Sequence, residues 1–119
     1  MTSLPPSTFS HTDLVVGSGP AARRGARLTV HYTGWMYDAD RPDNKGKQFD
    51  SSIGSEPFTF TLGAGDVIRG WDQGFDDMRV QGKRRLIIPP DLGYGRTGTP
   101  GGIPGNAGLV FDMELLDVR

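Results

Sequence analysis

Cysteine is absent from the 119 residues, and histidine occurs only at positions 11 and 31. Without cysteine there is no disulfide framework and no thiolate chemistry. With only His11 and His31 and no H-E-x-x-H spacing, a zinc centre lacks a ligand set. G-x-S-x-G is also missing, so a serine triad has no nucleophile elbow. No apolar run approaches the ~20 residues of a membrane-spanning helix. Neither sign of charge is in excess: 13 Lys and Arg against 14 Asp and Glu leave a net charge of -1, which gives no general attraction to nucleic acid or anionic membrane. The short basic run Lys83-Arg84-Arg85 reads as the solvated face of a strand. Residues 1–11 show no positive segment followed by an apolar one, so no secretory signal is read and a cytoplasmic location is expected.

Glycine, by contrast, is abundant: 18 residues, about twice ordinary usage. A chain of this length is one domain by prior and large enough to bury a core without staples. Residues 1–7, with Pro5-Pro6, read as a loose tail and residues 8–119 as the domain. Residues 8–16 carry a short strand signal that stops at Gly17-Ser18-Gly19-Pro20. From Leu28 the pattern alternates, with Leu28, Val30 and Tyr32 on one face and Thr29, His31 and Thr33 on the other, and the strand runs on to Tyr37. Residues 38–46 are polar and rich in turn formers. Residues 48–51 resume a strand, Phe49 opposite Asp50. Phe58, Phe60 and Leu62 alternate with Thr59 and Thr61. Residues 84–88 form a strand stopped by Pro89-Pro90. Residues 109–118 form the last, with Leu109, Phe111, Met113 and Leu115 inward.

One stretch is helical in period. Val67, Trp71, Gly74 and Met78 recur at spacings of four, three and four, which predicts a helix over residues 67–78 with Asp66 as its cap. Gly70 and Gly74 each cost about 1 kcal/mol there against alanine, so packing must hold it. Residues 91–108 hold seven of the glycines. A loop of that length is uncommon in a compact domain unless functional, and Leu92, Tyr94 and Ile103 give it anchors, so it reads as a structured flap over a binding site. Gly93-Tyr94-Gly95-Arg96-Thr97-Gly98 matches G-x-G-x-x-G, but Pro89-Pro90 before it and Thr99-Pro100 after it leave no room for the strand and helix a dinucleotide site requires. Paired carboxylates for glycoside chemistry are not excluded by composition. The acids cluster on exposed-looking positions, however, and Asp50 alone sits among apolar neighbours.

There remains an aromatic set spread along the chain: Tyr32, Phe49, Phe58, Trp71, Tyr94 and Phe111. Any one of them alone would be assigned to the core. Taken in order, Val30-His31-Tyr32-Thr33-Gly34, Phe49-Asp50-Ser51-Ser52, Val67-Ile68-Arg69-Gly70-Trp71, Tyr94-Gly95 and the final strand from Leu109 to Leu116 resemble the FKBP-type peptidyl-prolyl cis–trans isomerases, the immunophilins that bind tacrolimus and rapamycin. The resemblance covers residues 8–119. It implies an α+β fold, a twisted five- to six-stranded antiparallel sheet wrapped around one short helix. It implies an enzyme that speeds rotation about X–Pro bonds in protein folding by binding prolyl peptides and unfolded proteins, without cofactor or metal.

The resemblance also assigns residues. Tyr32, Phe49, Phe58, Trp71 and Phe111 match the family's aromatic walls, Trp71 under the prolyl ring. Val67 and Ile68 match the helix entry, and the Ile68 N–H and the Tyr94 hydroxyl match donors to ligand carbonyls. Asp50 matches the single carboxylate of the pocket, with Tyr32 as its expected donor and partial burial expected. Ile103 matches an apolar flap contact. Asp50, Tyr94 and Ile68 are thus the candidate catalytic groups, and Tyr32, Phe49, Phe58, Val67, Trp71, Ile103 and Phe111 the candidate substrate contacts. Ser55, Thr99 and Gly102 depart from the best-known small members, which have arginine, histidine and isoleucine there; these departures bear on macrolide affinity rather than on the pocket. A non-catalytic binding or chaperone module of the same fold is the alternative, as is a structural domain with a filled pocket. No coiled coil or extra helix points to a dimer, so a monomer is expected.

Overall fold

A computed structural model describes residues 5–100 and 102–119. The first four residues of the expected tail and Gly101 of the expected flap lie outside that set. The elements in chain order are β1 (Ser10–Val15), β2 (Arg27–Tyr37), β3 (Lys45–Ser51), β4 (Phe58–Thr61), α1 (Arg69–Gly74), β5 (Lys83–Ile88) and β6 (Leu109–Val118). The six strands make one sheet in the order β1-β5-β6-β2-β3, with β4 also on β2. Every pairing is antiparallel. This is the α+β arrangement that the resemblance implies.

β2 is the longest strand, eleven residues, with Leu28, Val30 and Gly34 buried on its inner side. It pairs with β6 from Leu28 to Met36. Along its other edge the N-terminal part pairs with β4 and the C-terminal part with β3. The two short strands thus lie end to end on one edge, and both deliver aromatic residues to the same face. That inner face carries Leu28, Val30, Phe60, Leu86, Ile88 and Met113, all buried.

The helix is shorter than its period suggests. Ile68 is still extended (φ -60, ψ 152), no side chain caps the start, and the chain leaves the helix after Gly74. Phe75 and Met78 reach the core through turns, with Asp77 at φ 62. The 4-3-4 spacing records a shared buried face rather than continuous helix. Asp66 is not the cap: its Oδ2 accepts the Thr61 N–H at 3.1 Å. Asp72 does the fastening instead, its carboxylate accepting the N–H groups of Gly63 and Gly65. The glycines inside α1 are explained by proximity. A Cβ at Gly70 would lie 2.7 Å from Ile88 Cδ1, and one at Gly74 2.5 Å from Leu86 Cδ1.

The basic run also differs from expectation. In β5 the inward positions are Arg84, Leu86 and Ile88, so Arg84 belongs to the buried face, ion-paired to Asp13 of β1 at 2.7 Å. Arg85 faces outward and binds Asp112 through Nε at 2.7 Å and Nη2 at 3.0 Å. Lys45 meets the same carboxylate at 2.9 Å while lying 4.1 Å over the Trp35 ring. Arg85 also reaches Asp43. This cluster fastens the loop before β3, which ends two residues earlier than residue 46 because β3 begins at Lys45. Pro6 of the tail lies against Gly108, where a Cβ would come within 2.3 Å of its Cδ.

Burial alone would raise the Asp112 carboxyl, but the bonds and charges of Arg85 and Lys45 outweigh that and hold it below 3.8. The Arg84 bond lowers Asp13 in the same way, against a smaller opposing effect of burial. A carboxyl lowered on folding contributes stability that is present above its unfolded value, near 3.8, and lost as pH falls through the folded value. Urea denaturation should therefore show stability falling from about pH 4 downward, and Asp112→Asn should remove roughly 1 kcal/mol of that acid-sensitive stability. An unchanged acid slope in that variant would show that the Asp112 cluster is not coupled to folding.

Candidate active site

One cavity of ≈410 Å³ opens beside α1, lined by Tyr32, Phe49, Asp50, Phe58, Asp66, Val67, Ile68, Trp71, Tyr94 and Phe111. Nine of the ten candidate residues therefore come together. Ile103 does not join them: it is buried in the core, 6% exposed. It anchors the flap from behind, its N–H donating to Thr99 Oγ1 at 2.7 Å and its carbonyl accepting from the Thr99 N–H. A hollow of ≈440 Å³ between Pro6, Pro89, Pro90 and Asn106 is somewhat larger, but no aromatic ring lines it.

The Trp71 ring forms the hub. It packs edge-on against Tyr32 at 4.9 Å and Phe111 at 5.3 Å, and touches Phe58, Phe60 and Phe75 at 6.0, 5.7 and 5.9 Å. Such edge-to-face pairs add about 0.5–1.5 kcal/mol each beyond area burial. Trp71 is 5% exposed, so the rings around it hold it still while part of its surface forms the cavity wall. Its indole Nε1 is buried without an acceptor among the described residues; the surrounding ring faces offer only weak acceptors. Phe58 stands at the mouth, 40% exposed.

Gly34 sets the far wall. A Cβ there would lie 2.6 Å from Phe111 Cε1 and 2.7 Å from Phe49 Cζ. The bare backbone of β2 lets these two rings close to 5.5 Å at 88°. Sequence reading placed Gly34 within a motif but gave it no role; its signal was position, one glycine in a strand of otherwise large residues. Asp66 was likewise read only as a cap, although it directly precedes Val67-Ile68 and so shares their wall.

Two donors face this apolar space. The Ile68 N–H precedes the first helical turn, where amides have no intrahelical acceptor, and no described group accepts from it. The Tyr94 hydroxyl also has no described partner, and Tyr94 is 37% exposed on the flap. Burial, then the charge of Asp50, raises the Tyr94 phenol, so it remains a donor through neutral pH. Tyr32 is raised more strongly by burial and by its bond to Asp50. That bond, Tyr32 Oη to Asp50 Oδ2 at 2.7 Å, is the expected one. Asp50 itself is exposed rather than partly buried, because β3 runs along the edge of the sheet. Its other oxygen accepts the Ser51 N–H at 2.9 Å.

The sheet, the short helix seated on it and the ring-lined cavity between them define a class, and the comparisons give it a name. Residues 19–116 match the model of the FKBP-type peptidyl-prolyl cis-trans isomerase family, and the chain belongs to that family. It is 49% identical over 107 residues to an FK506-binding protein of Neisseria meningitidis serogroup A, covering 89% of this chain and 92% of the relative. It is 51% identical over 111 residues to FK506-binding protein 4 of Dictyostelium discoideum, covering 93% of this chain but 28% of that longer relative. The fold matches the crystal structure of FkpA from Escherichia coli with a TM-score of 0.81 and 38% identity, over 98% of this chain and 51% of that one.

A methyl group at position 34 must push the Phe49 and Phe111 rings into the cavity. Gly34→Ala is expected to lower affinity for a prolyl ligand about tenfold and stability by roughly 1–3 kcal/mol, as overpacking does. Calorimetric titration together with chemical denaturation checks this. Retained affinity would show that the two rings do not define the ligand's space.

Proposed function

We propose that this domain accelerates cis–trans rotation about X–Pro peptide bonds in peptides and unfolded proteins, and that its cavity also accepts a macrolide of the tacrolimus and rapamycin class. The observation that carries the reading is the pairing of a ring-lined cavity with two unengaged donors, the Ile68 N–H and the Tyr94 O–H. Family membership and the names of the relatives support it.

Rotation about a peptide bond faces about 18–20 kcal/mol, because twisting destroys amide resonance. For X–Pro the unaided step takes tens to hundreds of seconds. No bond to another atom forms or breaks, so no nucleophile or base is required. In the twisted state the amide has lost charge separation, so a water-poor aromatic wall disfavours it less than it disfavours the planar amide. Trp71 and Phe111 hold the prolyl ring. The Ile68 N–H and Tyr94 O–H hold substrate carbonyls and fix the backbone on either side of the turning bond. A barrier lowered by about 5–8 kcal/mol corresponds to roughly four to six orders of magnitude in rate.

Asp50 has a supporting part in this scheme. Its carboxylate accepts from Tyr32 and so fixes the ring that contacts Trp71. Nothing in the reaction asks it to take a proton. On the macrolide side, Gly102 leaves the flap without an isoleucine, and the structure shows why one cannot simply be added. A Cβ at 102 would lie 2.6 Å from Thr99 Oγ1, the atom that holds the Ile103 N–H. Gly102→Ile would therefore disturb the flap turn rather than merely extend the contact surface.

An exchange assay on a Leu-Pro peptide, with and without rapamycin, tests the reading. The domain should speed isomerisation, and rapamycin should abolish that rate at stoichiometric addition. Asp50→Val should lower kcat/KM about tenfold while stability changes by about 1 kcal/mol or less, since the carboxylate is exposed. No acceleration by the wild-type domain would leave a binding module. Unchanged turnover in Asp50→Val would remove that residue from the mechanism.

A further inference from the structure

Three inward positions of β5 meet α1 in succession. Ile88 lies under Gly70 and Leu86 under Gly74. Arg84, two residues before Leu86, reaches the helix end. Its Nη1 donates to the carbonyl oxygens of Gly74 at 2.8 Å and Asp76 at 3.0 Å. Its Nε donates to Asp13 Oδ1 at 2.7 Å. The residue is 7% exposed, where the alternation of β5 would otherwise place an aliphatic side chain.

A buried ion pair is weak evidence for stability, since well-packed apolar groups of similar size often serve as well. What a guanidinium adds is direction: a planar fork whose bonds have fixed angles. α1 has six residues and no side-chain cap at its start, so it is less than two turns long and far too short to be stable alone. The apolar contacts at Gly70 and Gly74 set how closely the helix approaches β5, and Asp72 ties it to the loop before it. The Arg84 bonds add directional contacts between the helix end and β5, where a cation is also favoured.

We propose that Arg84 is a positioning residue for the pocket. By tying the end of α1 to β5, and through Asp13 to β1, it fixes the axial setting of the helix and so the places of the Ile68 N–H and the Trp71 ring. The inference rests on the isomerase reading of that pocket.

The test removes the pair without stranding a charge. In Arg84→Met with Asp13→Asn, kcat/KM for a Leu-Pro peptide should fall about tenfold, chiefly through KM, as sub-ångström to 1 Å misplacement of binding groups does. The Ile68 amide and Trp71 indole resonances should both move. Arg84→Lys, which keeps the charge but not the fork, should recover part of the rate and part of the resonance positions. A double variant with kcat/KM within twofold of wild type and both resonances unmoved, whatever its melting temperature, would overturn the proposal. Should the double variant fail to fold, Arg84→Lys decides alone: a loss of about threefold with moved resonances supports positioning, and wild-type values overturn it. A wild-type domain without isomerase activity would defeat the functional reading instead, and the resonances would then decide the role of Arg84.

Discussion

Gly70 and Gly74 bring the backbone of α1 against Ile88 and Leu86 of β5, and the position of the cavity floor follows from that contact. With side chains at either place the helix would stand farther from the sheet. Trp71 would then lose the edge-on contacts to Tyr32 and Phe111 that hold its ring. The two glycines lower helix propensity by about 1 kcal/mol each, and the sequence tolerates that because a helix this short is held by packing and not by its own hydrogen bonds. The absence of side chains at 34, 70 and 74 serves one end: large rings and a helix approach bare backbone, and the space they leave is the cavity.

Around that space the polar groups are few and most are already engaged. Tyr32 donates to Asp50, Asp66 accepts from the Thr61 N–H, and Asp72 binds the loop before α1. The Ile68 N–H and Tyr94 O–H stand apart as donors without described partners. In the proposed function these two donors meet substrate carbonyl groups beside an apolar ring. The fold supplies the donors from different sources. One is a backbone amide made available by the start of a helix. The other is a side chain on a flap anchored at Ile103 by Thr99.

Most of the sheet was legible because apolar residues recur at every second position through much of β2, β4 and β6. The pocket was legible only as an ordered set: each aromatic alone looked like core, and several of them are indeed packed as core. What sequence could not show were features decided by distance across the fold. The period of residues 67–78 could not reveal that Phe75 and Met78 reach the core through turns. Composition marked Arg84 as solvent-facing, whereas the alternation of Leu86 and Ile88, followed backward, places it inside. The family resemblance assigns Ile103 to the ligand contacts; here the turn at Thr99 holds it in the core. Asp50 was expected to be partly covered, but β3 lies on the sheet edge and leaves it open.

In the proposed mechanism the cavity lowers the barrier by its polarity and by holding the substrate backbone, with no proton in flight. The solvent deuterium isotope effect on kcat/KM for a Leu-Pro peptide measures this directly. A value near unity, unchanged in Asp50→Asn, is the predicted result. A substantial normal effect that disappears in that variant would mean that Asp50 moves a proton in the rate-limiting step, and would contradict that mechanism.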